Sequence, residues 1–510
     1  MSARFKALRD VDRRICLEGV LELTSPCHLG GTDADATSEK PLVRDASGQP
    51  YLPGTTLTGL LRSAGSHMAS AQADEALFGA RWAQGEGDQA HLIVEDARIH
   101  ATGTIPTELR DGVKIDPSTG TAEDGKKYDV ELLPAGTRFL LRFELVVPEK
   151  SPHPMLSLFC ELLLALEQGK IPLGARSRRG FGQAKVVLNE AGYRWNVVEY
   201  TTAAREGMLA WLARGLSDQE SAGLSAGATD SCTSYPSAVQ LAAAWKCTPA
   251  SDIDRGNDNC FEVTLSLVST GSLLVRSGGF APGSPDAVHL ARLHARNKRS
   301  LTPVLPGTSL AGVLRHRCLR IANTLAGLKC EQEADRKGTR GTGKNVSKTK
   351  AETFVERMFG SQENASRVRV FESELEDAKP LRHTRVRIDP WTGGALDGFL
   401  FTEEPVYKSR VEVRVNLDLP KGDKGKVAPG SNAERALLLL ALRDLATGDL
   451  AVGGESGVGR GRFEVAPNSY IQTRFPETRL HVEKNGTIRV SPSAAFDADF
   501  EALHNELSGQ

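Results

Sequence analysis

The sequence predicts an α+β protein in which one structural unit is used twice, and three observations predict it. Residues 52–62 (LPGTTLTGLLR) recur at 305–315 (LPGTSLAGVLR) with eight of eleven positions identical. Four further matches follow in the same order. Leu77-Phe78-Gly79 meets Met358-Phe359-Gly360, IDPSTG (115–120) meets IDPWTG (388–393), LLLAL (162–166) meets LLLAL (438–442), and GFGQAKV (180–186) meets GRGRFEV (459–465). The offsets run from 253 to 281 residues, so loops differ in length while order is kept, as a duplicated unit requires. Within each copy, apolar residues alternate with polar ones in some stretches and repeat at helical spacing in others.

Taken in order, each copy opens with an alternating strand, Arg14–Leu23 in the first and Phe261–Leu267 in the second. A loop rich in Gly and Asp follows, then a short strand ending in Pro-Gly. A helix starts near Thr55 or Thr308, where Thr or Ser is expected to cap the first amides. After a variable region comes the IDPxTG turn, in which Pro and Gly fix a tight reversal. In the next strand Phe139, Leu141, Phe143 and Leu145 share one face. Val411, Val413, Val415 and Leu417 do so in the second copy. A Leu-rich helix, a glycine loop and a last strand close each copy. Strand–helix–strand–strand–helix–strand is the ferredoxin-like arrangement.

The sequence thus divides into a first unit at 1–200, a helical connector at 201–255, a second unit at 256–470 and a C-terminal extension at 471–510. Residues 329–350 carry seven Lys/Arg against three acids and almost no apolar side chains, so a flexible basic insertion is expected within the second unit.

Composition bounds the function classes. The chain has 510 residues with Lys+Arg 63 against Asp+Glu 64, which excludes a polybasic protein but leaves room for a local basic groove. No apolar run approaches the ~18 residues of a spanning helix, and the charged N-terminus has no apolar signal region. The eight cysteines are scattered without a CxxC, as in a reducing compartment, and lack the paired spacing of structural zinc. No membrane partner and a cytoplasmic location are therefore expected.

The glycine loops read Gly174-Ala175-Arg176-Ser177-Arg178-Arg179-Gly180-Phe181-Gly182 and Gly453-Gly454-Glu455-Ser456-Gly457-Val458-Gly459-Arg460-Gly461-Arg462. Glycine lets a backbone approach a phosphate and arginine supplies forked donors, while a plain helix-to-strand turn is the competing reading. Gly338–Asn345 (GTRGTGKN) nearly spells a phosphate-binding P-loop. Asn345 replaces the required hydroxyl and no hydrophobic strand precedes it, so that reading fails on context.

Taken together, the glycine loops and the LPGTxLxGxLR helices resemble the RAMP superfamily (repeat-associated mysterious proteins), the RNA-binding subunits of CRISPR–Cas effectors. PLVRDASGQPYLPGTTLTGLLRS (41–63) is similar to the backbone subunit of type III effectors, and a fused pair is similar to the double subunit of type III-D-like complexes. The resemblance implies two tandem ferredoxin-like (RRM-like) domains, each with a thumb hairpin at the IDPxTG turn that inserts beside a displaced base pair. It implies three kinds of partner: a CRISPR guide RNA, a paired target RNA and other CRISPR effector subunits.

It further implies that an acid in the loop after the first strand supports metal-dependent cleavage, with Mg²⁺ or Mn²⁺ as cofactor. In the second copy that acid falls on Asp286. In the first copy spacing to Pro41 places it on Glu39, with Asp33 and Asp35 nearby. Asp286 and Asp35 are the implied metal ligands. Mg²⁺ suits such a site because it takes few protein carboxylates beside phosphate oxygens and water. The resemblance and the repeat together mark Arg62, Arg315, Lys114, Arg385, Arg387, Arg176, Arg178, Arg179, Arg460 and Arg462 as RNA contacts; solvated surface arginine is the bland alternative. His28 is expected to pack in its loop. A non-catalytic scaffold and a metal-free guide-processing ribonuclease using histidine stay open beside the target-cleaving reading.

Overall fold

The computed structural model describes residues 11–31, 38–68, 70–79, 89–101, 105–116, 119–148, 153–188, 190, 192–214, 232–247, 260–277, 284–327, 348–420, 431–467, 469, 471–474, 478–482, 488–491 and 496–508. In the first copy the order is β1 (Val11–Leu23), α1 (Gly54–Met68), α2 (Ala71–Phe78), β2 (Leu92–Val94), the hairpin β3 (Glu108–Ile115) and β4 (Ala122–Leu132), β5 (Arg138–Pro148), α3 (His153–Glu167), β6 (Ala184–Val186) and β7 (Trp195–Tyr200). The sheet runs β6-β1-β5-β2, all antiparallel, and β7 extends the β6 edge along Arg14–Glu18.

The second copy repeats this plan. After α4 (Arg205–Ala213) and α5 (Ala238–Ala244) come β8 (Cys260–Ser269), β9 (Ala287–His289), α6 (Gly307–Leu325), α7 (Lys350–Phe359) and β10 (Val368–Val370). The hairpin β11 (His383–Ile388) and β12 (Ala395–Glu404), then β13 (Arg410–Asp418), α8 (Ser431–Ala446) and β14 (Phe463–Val465) follow. Its sheet runs β14-β8-β13-β10, again antiparallel. Numbered within one copy this is the order 4-1-3-2, the ferredoxin-like order.

Alternation decides which faces are buried. Phe139, Leu141, Phe143 and Leu145 lie inward in one core, and Val411, Val413, Val415 and Leu417 in the other. The LLLAL helices α3 and α8 cover those faces, with Leu162, Leu163, Leu166, Leu438 and Leu442 fully buried.

The Pro-Gly that starts α1 and α6 has a steric cause. A Cβ on Gly54 would stand 2.5 Å from the Val94 carbonyl, and one on Gly307 2.6 Å from that of Val370. Only glycine lets each helix begin against the strand backbone. The expected Thr/Ser caps are corrected. The Gly54 N–H donates to Asp96 Oδ1 at 2.7 Å, a carboxylate from across the loop, and Pro306 at the start of α6 offers no side-chain acceptor.

Two boundaries are also corrected. The described part of the 201–255 connector is not separate: the strand Thr233–Tyr235 pairs with β7, and Ala238, Leu241, Ala242 and Trp245 join the first core. The 471–510 stretch adds β15 (Ile471–Arg474), β16 (Thr478–Val482) and β17 (Ile488–Ser491) to the second sheet, starting on β8, and α9 (Asp497–Ser508) packs on α8, with Phe496 and Leu503 in the core. Apolar residues in both stretches find burial only against a copy. Of the basic insertion, 329–347 lies outside the described residues. Beyond it Thr349 and Glu352 form a reciprocal cap on α7.

The copies are joined by buried charge. Arg110 on β3 pairs with Glu372 after β10, Nη1 to Oε2 at 2.5 Å, and with Glu108 at 3.0 Å; the three side chains are 6%, 0% and 9% exposed. Glu108 also accepts the Leu293 N–H, and Arg292 reaches Glu372 at 3.7 Å and pairs with Glu374. The Ala295 N–H donates to the Ala135 carbonyl across the same seam. Removing one partner leaves a buried charge short of compensation. Glu372→Leu is expected to lower unfolding stability by about 3 kcal/mol, measured by denaturant unfolding; no loss would mean the seam does not depend on this pair.

Candidate nucleic-acid interface

The two glycine loops share one backbone. Each turns through a short 3-10 segment, Ser177–Arg179 or Ser456–Val458, entered by a residue in left-handed conformation, Arg176 (φ 59) or Glu455 (φ 60). Each ends on a glycine at positive φ whose Cβ would clash with a carbonyl: Gly182 at 1.8 Å from Leu173, Gly461 at 1.9 Å from Val452. These last glycines therefore close the loop onto its own helix-to-strand turn.

On that shared backbone the side chains differ. In the first loop Arg178 forms an ion pair with Asp418 of the second copy, which Arg369 holds at 2.9 Å. The Arg179 carbonyl and Gly180 lie against Gly307 and Phe371–Glu372. This loop is thus docked on the second copy. Arg176 stacks over Tyr128 at 4.5 Å, and the Arg179 side chain is exposed.

In the second loop Arg176, Arg178 and Arg179 are matched by Glu455, Gly457 and Val458, and Phe181 by Arg460. Arg460 is 3% exposed and pairs with Glu403 at 3.0 Å and Glu455 at 2.9 Å. Arg385 and Arg276 also reach Glu455, at 3.1 and 2.7 Å. The expectation that Arg460 contacts RNA is corrected: its guanidinium neutralises buried Glu403, which is 2% exposed, at the root of the hairpin.

Arg62 and Arg315 have one use repeated. Arg62 donates to the Gly79 carbonyl at 2.9 Å, and Arg315 to the Gly360 carbonyl at 3.1 Å. Gly79 and Gly360 cap the ends of α2 and α7. The LPGTxLxGxLR arginine thus binds the carbonyl that ends the next helix, where the recurrent glycine takes a positive φ (81 and 80). Burial pulls the Arg315 guanidinium below its ordinary pKa. Lys114 pairs with Glu123 at 2.5 Å on the first hairpin. Arg387 lies exposed over Phe399 on the second, and Arg462 is exposed while donating to the Gly448 carbonyl.

The hairpins differ too. In the first, Asp111 and Asp129 stand directly opposite. A hydrogen bond with Asp111, then burial and the like charge of Asp111 and Glu39, hold Asp129 above the ordinary carboxylate range. The second exposes Val386, Ile388, Phe399 and Leu400, and Trp391 at its tip is 94% exposed. Trp391 lies within the IDPxTG turn, where the sequence alone assigns it no role. Its signal was an aromatic in a tight turn with nothing apolar beside it.

Asp286 precedes β9, whose Ala287 and Val288 pair in parallel with Glu403 and Glu404 of β12. Its carboxylate is exposed, and Oδ2 accepts the Thr402 N–H at 2.7 Å and hydroxyl at 3.3 Å. In the first copy the position in register with Thr402 is Asp129, and two residues on the Glu131 N–H donates to the Lys40 carbonyl at 3.1 Å. The Glu131 carboxylate is taken by the Leu42 N–H and Arg44. Glu39 lies exposed beside this contact; Asp33 and Asp35 fall outside the described residues. His28 packs as expected, buried with Nδ1 2.9 Å from the Glu131 carbonyl.

Two ferredoxin-like domains of this shape match a known family. Residues 20–185 and 286–464 match the RAMP superfamily. The chain belongs to that superfamily and carries its domain twice. Over 197 residues it is 25% identical to the CRISPR system Cms endoribonuclease Csm3 of Methanocaldococcus jannaschii, a match that spans 34% of this chain and 78% of that protein. No helix among the described residues is long and apolar enough to cross a membrane.

Behind Asp286, His289 fixes β9. Its Nδ1 accepts the Val275 N–H at 3.1 Å and its Nε2 meets the Val304 carbonyl at 3.0 Å. Burial keeps the ring neutral, with its pKa pushed down from 6.5 to about 4. The unfolded chain then binds the extra proton between those values. This stabilisation is complete above the unfolded pKa and is lost as pH falls towards about 4. By pH 4 the loss should be on the order of 3 kcal/mol. Denaturant unfolding at pH 7 and near pH 4 should show it for wild type and less for His289→Gln; equal losses would contradict it.

Proposed function

We propose that this chain is a guide-RNA-binding backbone subunit of a type III CRISPR ribonucleoprotein that cleaves RNA paired to the guide. Its partners are guide RNA, target RNA and other effector subunits. Family membership and the endoribonuclease name of the relative support the class. The observation that carries the reading is Asp286: an exposed carboxylate in the loop after the first strand, at the root of a hairpin with an apolar tip.

The donor set fits a hard divalent cation in one way only. No group of three His, Cys, Asp or Glu side chains gathers as a metal cage among the described residues. A single carboxylate with an unengaged oxygen suits Mg²⁺ or Mn²⁺ that draws its other ligands from water and phosphate. Asp286 would hold it, and the bound ion would neutralise charge on the scissile phosphate. The chain's own work is positional. Trp391 and its apolar neighbours offer a stacking surface that turns bases out. Exposed Arg179, Arg387 and Arg462 supply sequence-independent backbone contacts. The target then lies beside Asp286 with its 2′-hydroxyl placed for in-line attack.

Of the alternatives, histidine chemistry without metal finds little support in His289, which is buried and neutral. The scaffold reading draws on the hydrogen bonds that already engage Asp286.

The test is cleavage by the reconstituted complex of guide-complementary and non-complementary RNA, with Mg²⁺ and with chelator. Cutting is expected only of complementary RNA and only without chelator. Chelator-resistant cutting would indicate guide processing, and binding without cutting a scaffold.

A further inference from the structure

We propose that Thr402 is a positioning residue for Asp286, tying the acid of the second copy's loop to the strand of its hairpin. The proposal rests on the reading of Asp286 as the cleaving acid. Both Thr402 donors converge on one oxygen, Oδ2, at 2.7 Å from the amide and 3.3 Å from the hydroxyl. The other oxygen, Oδ1, accepts no hydrogen bond among the described residues. Two donors on a single oxygen stop rotation of the carboxylate and leave the opposite oxygen turned outward, which pre-organises it.

The attachment lies where loop and hairpin already run together. Ala287 and Val288 pair with Glu403 and Glu404, immediately beyond Asp286 and Thr402. The strand below is anchored by Glu403, clamped between Arg460, Arg385 and Arg276 at 3.0, 3.6 and 3.6 Å. Thr402 is therefore the last residue of a firmly held strand to reach the acid. Any shift of β12 moves the carboxylate with it.

The first copy lacks the device. There the residue in register with Thr402 is Asp129, which stands opposite Asp111 as Thr402 stands opposite Thr384, and its side chain is engaged by Asp111 rather than by an acid of the loop. Coupling of an acid to the hairpin is thus peculiar to the second copy among the described residues.

Thr402→Val keeps the branching and the main-chain N–H and removes the hydroxyl; Thr402→Ser keeps the hydroxyl. Both are assayed in the reconstituted complex beside Asp286→Asn, reading single-turnover cleavage of guide-complementary RNA, the Mg²⁺ concentration for half-maximal rate, and target affinity. The loss of one long hydrogen bond should slow Thr402→Val about fivefold. It should also raise its Mg²⁺ requirement and leave target affinity unchanged, with Thr402→Ser close to wild type. In the full-length chain without RNA, Asp286→Ala, which leaves the 402 amide without its acceptor, should speed deuterium uptake there.

Wild-type rate and Mg²⁺ dependence in Thr402→Val, with Asp286→Asn inactive, would overturn the positioning role and leave Asp286 as the acid. Failure of serine to restore the rate, or unchanged exchange at 402, would overturn it too. Normal cutting by Asp286→Asn would overturn both readings.

Discussion

The contact between Arg110 and Glu372 constrains everything around it. Two buried charges must meet in good geometry or the seam between the copies opens. The pair joins the base of the first hairpin to the residue that follows β10, so it sets the rotation of one copy against the other. With that rotation fixed, the first glycine loop falls against Gly307, where a Cβ would strike the Arg179 carbonyl at 2.6 Å, and Arg178 meets Asp418. A buried ion pair adds little stability over a well-packed apolar contact. What it contributes here is orientation, because it holds Arg110, Glu108 and Glu372 together across the seam.

Duplication kept the backbone and divided the chemistry. Arg176 and Phe181 in the first loop stand where Glu455 and Arg460 stand in the second. Phe181 sits with Val130 and Leu132 in a small apolar cluster, while Arg460 neutralises Glu403 at the matching place. Where Thr402 ties its hairpin to the Asp286 carboxylate, the first copy carries Asp129, engaged by Asp111 across its own hairpin. One loop is used for joining the copies and the other stays open, which is why the proposed function is placed on the second hairpin and its acid.

Much of this was legible in the sequence. Period-two alternation gave the inward faces of β5 and β13, and the repeat gave two copies of a ferredoxin-like sheet, because both are encoded by neighbours in the chain. The use of each arginine was not legible. Arg178 finds Asp418 240 residues away, and Arg110 finds Glu372 262 residues away, so nothing local separates them from solvated arginines. Arg62 and Arg315 read as RNA contacts because the repeated motif was plain, whereas the carbonyls they bind became visible only once the next helix was placed. The helix caps failed similarly, since Asp96 reaches Gly54 from another element. Asp286 stands at the position that the family resemblance implies; its tie to Thr402 needed the parallel pairing of β9 with β12.

The most direct measurement is the pattern of cuts on a long guide-complementary RNA in the reconstituted complex. Wild type would be compared with Asp286→Ala and with a variant carrying Asp33→Ala, Asp35→Ala and Glu39→Ala together, and target binding measured for each. Loss of a discrete product from Asp286→Ala, with binding intact and that product retained by the triple variant, is the result expected. An unchanged product pattern in Asp286→Ala would contradict it and leave this chain as an RNA-binding scaffold whose cutting partner lies elsewhere.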